Sequence, residues 1–224
     1  MPELPALRQQ LIDTACRMAA AGLNKGTAGN LSVRAAAEDR PGFLITPTGM
    51  AYEHLTPADL VFMQLDGTHH GIHGNTRQPS SEWRFHRDLY VACPAAGAVL
   101  HAHSPFATSL ACLRRDIPAF HYMIARFGGD SVRCADYATF GTQQLSDVAL
   151  VALHERNACL LGNHGMLLFG RDLDQALALG IELETLCEQY WRACQLGQPV
   201  LLAAEEMATV LEKFARYGQQ DSRP

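Results

Sequence analysis

His101 and His103 follow the apolar run Ala98-Val99-Leu100 with one residue between them. In a β-strand, side chains at i and i+2 share a face. Two imidazoles would then project together, a spacing suited to one metal ion. Histidines that merely alternate along a strand give the same pattern, so the pair alone leaves metal binding open. A catalytic zinc takes three protein ligands and keeps one position free. His164 is the leading third candidate, in the turn Gly162-Asn163-His164-Gly165 at the end of an apolar segment. An ordinary turn histidine is the other reading. His69, His70 and His73 cluster in a glycine-rich stretch that would hold ligands poorly. His54, His86, His121 and His154 have no evident partner in the sequence and read as structural or surface residues.

Three small-residue segments form a second set: Gly26-Thr27-Ala28-Gly29-Asn30, Thr46-Pro47-Thr48-Gly49, and Ser80-Ser81. Each offers backbone N–H groups, hydroxyls or an amide without bulk. Together they could cradle a phosphate, the serines adding the positive end of a helix dipole. Singly, each reads as a plain turn, and none matches a P-loop or a dinucleotide fingerprint. Glu82 follows the two serines. It could simply favour the helix dipole, or serve as a general base beside a metal-bound substrate.

These groups need elements to hold them. Apolar residues at helical spacing predict a helix over 5–22, and β-rich segments predict strands at 43–46 and 60–65. Ser80 and Ser81 are expected to cap a helix beginning in WRFHRDLYVAC. A strand at 97–103 leads into a helix from Pro105 through Arg115. Residues 142–156 read as a helix, and 159–169 as two strands about the Asn163-His164-Gly165 turn. The longest helix spans 172–196, stopped by Gly197, and a last one spans 203–217, ending at Gly218. Helices at both ends with strands between them predict an α/β fold, a central, largely antiparallel sheet covered by helices. No repeat, linker or shift in composition interrupts residues 1–224, so a single domain is expected.

Composition narrows the function. Among 224 residues, Lys and Arg number 18 and Asp and Glu 23, a net charge of −5. Nucleic-acid binding by bulk charge is thereby excluded. Hydrophobic residues at 48% provide for a packed core and exclude a disordered chain; charged residues at only 18% agree with surface buried between subunits. No apolar run reaches the roughly 18 residues of a membrane span. The first residues lack the basic flank and apolar core of a secretory signal. Seven cysteines, an odd number without a CxxC pair, suit reduced thiols in the cytoplasm.

The segments GLNKGTAGNLSVR (22–34), LITPTGM (44–50), PSSEWRFH (79–86), HAH (101–103), IPAFHYMIA (117–125), YATFGT (137–142), NHG (163–165) and VLEKFARYG (210–218) occur together, in this order, in one known family. Over about residues 8–218 the chain resembles the class II aldolase/adducin family, and within it the aldolases of ketose 1-phosphates such as L-fuculose 1-phosphate. The resemblance implies the three-layer fold of that family and one Zn2+ per subunit on His101, His103 and His164, with Glu82 as catalytic residue and additional ligand. It implies a phosphate site at Gly29, Asn30, Thr48, Gly49, Ser80 and Ser81. Tyr122 matches the tyrosine that acts as acid toward the aldehyde oxygen and enters from a neighbouring subunit. Phe140 and Tyr217 match residues that line or close the pocket. A homotetramer with sites at subunit interfaces is implied as well.

The implied reaction is reversible cleavage of a ketose 1-phosphate to dihydroxyacetone phosphate and an aldehyde such as L-lactaldehyde. A metal ion, rather than a lysine Schiff base, steadies the developing charge. The alternatives are an aldolase for 5-deoxyribulose or 5-methylthioribulose 1-phosphate, or an epimerase or dehydratase on the same scaffold. Glu82 argues against the epimerases, which carry aspartate there. The metal histidines argue against the non-catalytic adducin heads, which lack them. The chain departs from the fuculose-phosphate pattern in a longer segment at His69–Gln78 and in Asn163, which stands where a histidine precedes the metal ligand. Imidazole ligands also suit cobalt, nickel or iron.

Overall fold

The computed structural model describes residues 4–37, 40–70 and 77–216. Six helices and eight strands are named along them: α1 (Leu4–Ala20), β1 (Asn30–Ala37), β2 (Arg40–Ile45), β3 (Val61–Gln64), β4 (His69–His70), α2 (Trp83–Ala92), β5 (Ala98–Ala102), α3 (Pro105–Ala111), β6 (Arg133–Ala135), α4 (Gln143–Ala152), β7 (Ala158–Leu161), β8 (Gly165–Gly170), α5 (Leu173–Leu196) and α6 (Ala204–Arg216). The strands form one sheet in the order β4-β3-β2-β1-β5-β8-β7-β6. Every pairing is antiparallel except β6 with β7, which α4 connects.

Period-two alternation divides the core between two faces of this sheet. Leu44, Leu100, Leu160 and Leu168 join Leu11 and Met18 of α1 and Leu183 of α5 in one buried cluster. Their strand neighbours Phe43, Val99, Cys159 and Leu167 join Phe85, Leu89 and Tyr90 of α2 and Leu145 and Ala149 of α4 in the other. The result is the three-layer, largely antiparallel arrangement predicted. Strand residues buried on both faces read as continuous apolar runs, as at Ala158–Leu161.

Local chemistry sets the element ends. Asp172 accepts a hydrogen bond from the Gln175 N–H at 2.7 Å to start α5, and Gly197 ends it. Thr142 caps α4 in the same way, through the Leu145 N–H at 3.2 Å.

Several boundaries differ from expectation. The N-cap of α2 is Glu82, without a side-chain cap bond. Ser80 Oγ instead accepts from the Glu82 N–H at 3.3 Å, just ahead of the helix. Helix α3 stops at Ala111 rather than Arg115: tightened bonds from the Leu113 and Arg114 N–H groups turn the chain, and Arg114 has φ +49. The three-residue β6 and a 3-10 helix at Tyr122–Phe127 were too short to carry a periodic signal. His69 and His70 form β4 against β3. His73, Tyr217 and Gly218 lie outside the described residues.

Candidate active site

One end of the sheet gathers four of the candidate side chains. His101 is the next-to-last residue of β5, its ring against Phe85 of α2, and His103 follows the strand. Pairing of Ala102 with Met166 sets this strand end against the β7–β8 turn that carries His164. That turn is pinned on several sides. The N–H groups of Gly162, Asn163 and His164 donate to the carbonyls of Ala135, Ala111 and Leu161. Asn163 sits at φ +54, a region asparagine tolerates, and accepts from Arg114 Nε at 2.6 Å. Glu82 arrives from the start of α2.

The ligating atoms of Glu82, His101, His103 and His164 all lie within 4.8 Å of one another. His101 is fully buried, and its Nδ1 donates to the Met166 carbonyl at 2.9 Å. The Nε2 lone pair therefore faces the cluster, a common second contact of a metal-binding histidine. His101 Nε2 lies 3.0 Å from His103 Nε2 and 3.2 Å from Glu82 Oε2. Glu82 Oε1 lies 3.3 Å from His164 Nε2 yet is buried without a hydrogen-bond partner.

Burial alone would raise the Glu82 carboxyl. The imidazoles of His101 and His164 and the Asn30 amide outweigh that and hold it well below the usual carboxylate range. Burial, with His101 alongside, pushes His103 and His164 down to about 4. Three imidazoles and a carboxylate with an orphaned oxygen are a donor set that fits a divalent cation.

Beside the cluster opens a cleft of about 340 Å³, lined by the Thr27–Asn30 loop, Thr48-Gly49, Ser80-Ser81, Tyr137, Phe140 and Asn163, with Glu82, His103 and His164 at its end. A short zip builds it. The Ser80 N–H donates to the Thr46 carbonyl at 3.1 Å and the Thr48 N–H to the Gln78 carbonyl at 3.2 Å. The two turns thereby share one wall. No lysine or arginine lines the cleft among the described residues. An anion there would meet backbone N–H groups, hydroxyls and a helix start.

Other expected site residues stand differently. Asn30 reaches the cleft, but its side chain is buried, donating to Glu82 Oε2 at 3.0 Å and accepting from His86 Nε2 at 2.6 Å. Phe140 is 66% exposed where it lines the cleft. Tyr122 is half-exposed and faces a separate cavity, with its ring parallel to Phe214 at 6.4 Å. Within one chain it does not join the cluster.

Sequence reasoning missed two kinds of support. Asn24 Oδ1 accepts from the His103 N–H at 2.9 Å, fixing that residue's backbone. Behind Glu82, Ser32, His86 and Tyr90 form a buried polar chain. Burial lowers His86 to about 3, the nearby His101 adding to this, so its ring is neutral. The polar pair Asn30 and Ser32 on one strand face was the only legible signal for this chain.

With this geometry the class of protein follows. The chain matches the class II aldolase and adducin N-terminal domain over residues 9–191, and it belongs to that family. It stands among the class II aldolases, metal-dependent aldehyde-lyases. A 5-methylthioribulose-1-phosphate/5-deoxyribulose-1-phosphate aldolase of Rhodospirillum rubrum is 52% identical over 219 residues, 98% of this chain and 96% of that protein. An L-fuculose phosphate aldolase of Escherichia coli K12 is 48% identical over 213 residues, 95% of each chain. A solved L-fuculose 1-phosphate aldolase superposes with a TM-score of 0.87 at 40% identity, covering 94% of this chain and 96% of that one. Among the described residues no helix is long and apolar enough to cross a membrane.

Proposed function

We propose that this protein reversibly cleaves a ketose 1-phosphate to dihydroxyacetone phosphate and an aldehyde, with one zinc ion per subunit on His101, His103, His164 and Glu82. The observation that carries the reading is the orphaned Glu82 oxygen among three Nε2 atoms, at the end of a cleft lined by neutral anion donors.

The cation, when bound, supplies Lewis-acid stabilisation of the negative charge that develops as the C3–C4 bond breaks. The substrate phosphate is held by the N–H groups of the Gly29–Asn30 and Thr48–Gly49 turns and by Ser80 and Ser81. Asn30 takes part through its backbone, since its amide is engaged elsewhere. Glu82 carries the proton to and from the carbon that becomes part of dihydroxyacetone phosphate. Tyr122, entering from a neighbouring copy, exchanges the proton of the aldehyde oxygen. Its exposure away from its own cleft supports that reading. The neighbouring copy implies an oligomer, read as a homotetramer. Phe140 and Tyr217 line and close the aldehyde side. The whole chain acts as one domain, and its seven free thiols suit the reducing cytoplasm.

The aldehyde half is L-lactaldehyde if the substrate is L-fuculose 1-phosphate. A second reading, 5-methylthioribulose or 5-deoxyribulose 1-phosphate, draws support from the Rhodospirillum relative. The cleft wall of Tyr137, Ala138 and Phe140 suits an apolar aldehyde tail. A methyl-sized apolar difference changes transition-state binding by only about 1–3 kcal/mol, so both substrates should turn over. The test is dihydroxyacetone phosphate release from each, before and after chelation and zinc return. Zinc-restored release from either supports the proposal, and the ratio of kcat/KM names the substrate. No release by protein holding stoichiometric metal would point to an epimerase or dehydratase.

A further inference from the structure

Four hydrogen bonds run in one line behind Glu82. Asn30 Nδ2 donates to Glu82 Oε2 at 3.0 Å, and Asn30 Oδ1 faces His86 Nε2 at 2.6 Å. His86 Nδ1 lies 2.7 Å from Ser32 Oγ, and Ser32 Oγ lies 2.8 Å from the Tyr90 hydroxyl. His86 is fully buried, and Asn30, Ser32 and Tyr90 are each nearly so.

The carboxylate fixes every proton in the line. An ionised carboxylate only accepts, so the Asn30 NH2 must face it and the Asn30 carbonyl must face His86. His86 then carries its proton on Nε2, and its bare Nδ1 accepts from the Ser32 hydroxyl. Ser32 Oγ in turn accepts from Tyr90. A buried imidazole with only an amide oxygen and a hydroxyl as partners bonds as the neutral ring. If the His86 tautomer reversed, Asn30 would have to turn its carbonyl oxygen onto the Glu82 carboxylate.

We propose that His86 is a positioning residue for the aldol reaction. It locks the Asn30 amide in the orientation that holds Glu82 Oε2, and so leaves Oε1 aimed at the cluster centre. This inference rests on the reading of Glu82 as proton carrier and extends it to a residue with no contact to cleft or cation. The line has two rigid supports: β1 carries Asn30 and Ser32, and α2 carries His86 and Tyr90 together with the Glu82 cap. It also explains polar side chains on the strand face toward an apolar layer, where each must find a partner. Partners one step behind a metal site alter affinity or activity by about 10–100-fold when removed.

Two measurements test it. Long-range 1H–15N correlation of 15N-histidine-labelled protein, metal-free and zinc-loaded, reads the His86 tautomer directly. Protonation at Nε2 is expected in both states; an Nδ1-protonated ring overturns the proposal. Kinetics then compare His86→Leu, His86→Gln, Asn30→Ala and the Leu/Ala double variant, each with its zinc content. His86→Leu should lower kcat about 10–100-fold while KM changes by less than about twofold. Glutamine, whose amide can donate to Asn30, should recover most of the loss. In the Asn30→Ala background, removal of His86 should cost nothing more, because its effect passes through Asn30. Losses that multiply, or an unchanged kcat in His86→Leu, overturn the proposal. Glu82→Gln, run in parallel, separates the two readings: full activity there defeats the role of Glu82 itself, and the positioning role with it. Collapse there with an unaffected His86→Leu defeats only the positioning role.

Discussion

Asn30 and His101 are partners across the β1–β5 ladder. One strand pairing therefore sets both the amide that grips Glu82 and the imidazole that faces it. The carboxylate lies between them, 3.0 Å from Asn30 Nδ2 and 3.2 Å from His101 Nε2. Slipping the register by one residue would turn His101 to the opposite face and dismantle the site.

Metal retention should follow the histidines. His103 and His164 stay neutral down to about pH 4 in the metal-free protein, so protons compete weakly with a cation above about pH 5. Dialysis near neutral pH should leave one zinc per chain, and dialysis at about pH 4 should remove it. The metal-free protein should also lose stability as pH falls. Between the ordinary histidine value of about 6.5 and the lowered folded values, the unfolded chain binds protons that the folded chain refuses. Metal analysis and melting temperature across this range test both points. His101→Ala should abolish stoichiometric zinc at any pH.

Gly29 should tolerate no side chain. Its φ is +78, and a Cβ would lie 2.1 Å from Asn24 Nδ2. Backbone strain of this kind costs about 1–3 kcal/mol. The displaced Asn24 would also release the His103 N–H. Gly29→Ala is expected to lower the melting temperature and raise KM for the phosphorylated substrate. A wild-type melting temperature and KM would show that the loop yields freely.

Asp88 should couple stability to acid. It accepts from Gln143 Nε2 at 2.6 Å and from the Ser146 hydroxyl, joining α2 to α4, and pairs with Arg87 at 2.6 Å. Burial alone would raise its carboxyl, but the bonds from Arg87, Ser146 and Gln143 hold it below its ordinary 3.8. A lowered folded value means the contribution is complete above the ordinary value and fades as pH falls through the folded one. Asp88→Ala should cost about 1–3 kcal/mol at neutral pH. Its deficit should shrink at an acid pH below that ordinary 3.8. Denaturant melts at both pH values measure this, and an equal deficit at each would exclude the ionised carboxylate as its source.

Much of this molecule is written locally. The helical spacing of Leu7, Leu11 and Met18, the apolar runs at Val99 and Leu160, and the stop at Gly197 each act within a few residues, so the sequence predicts the elements and the layered sheet. His101 and His103 are legible as a pair because strand alternation alone puts them on one face. His164 is legible as a candidate because it sits in a glycine-bounded turn, and the order of motifs around it resembles one family.

The tertiary structure alone decided the rest. Ser32, His86 and Tyr90 look like unrelated polar residues until β1 and α2 pack, because their bonds span more than fifty positions. Asn30 reads as a phosphate ligand in its turn, yet its amide is buried, and Glu82 and His86 are the partners it meets. Tyr122 carries no local sign that its own chain keeps it away from the cleft. Short-range propensity and alternation fix faces and element ends. Which buried polar groups must satisfy one another is settled only by long-range packing, where leaving one unpaired costs about 1–3 kcal/mol.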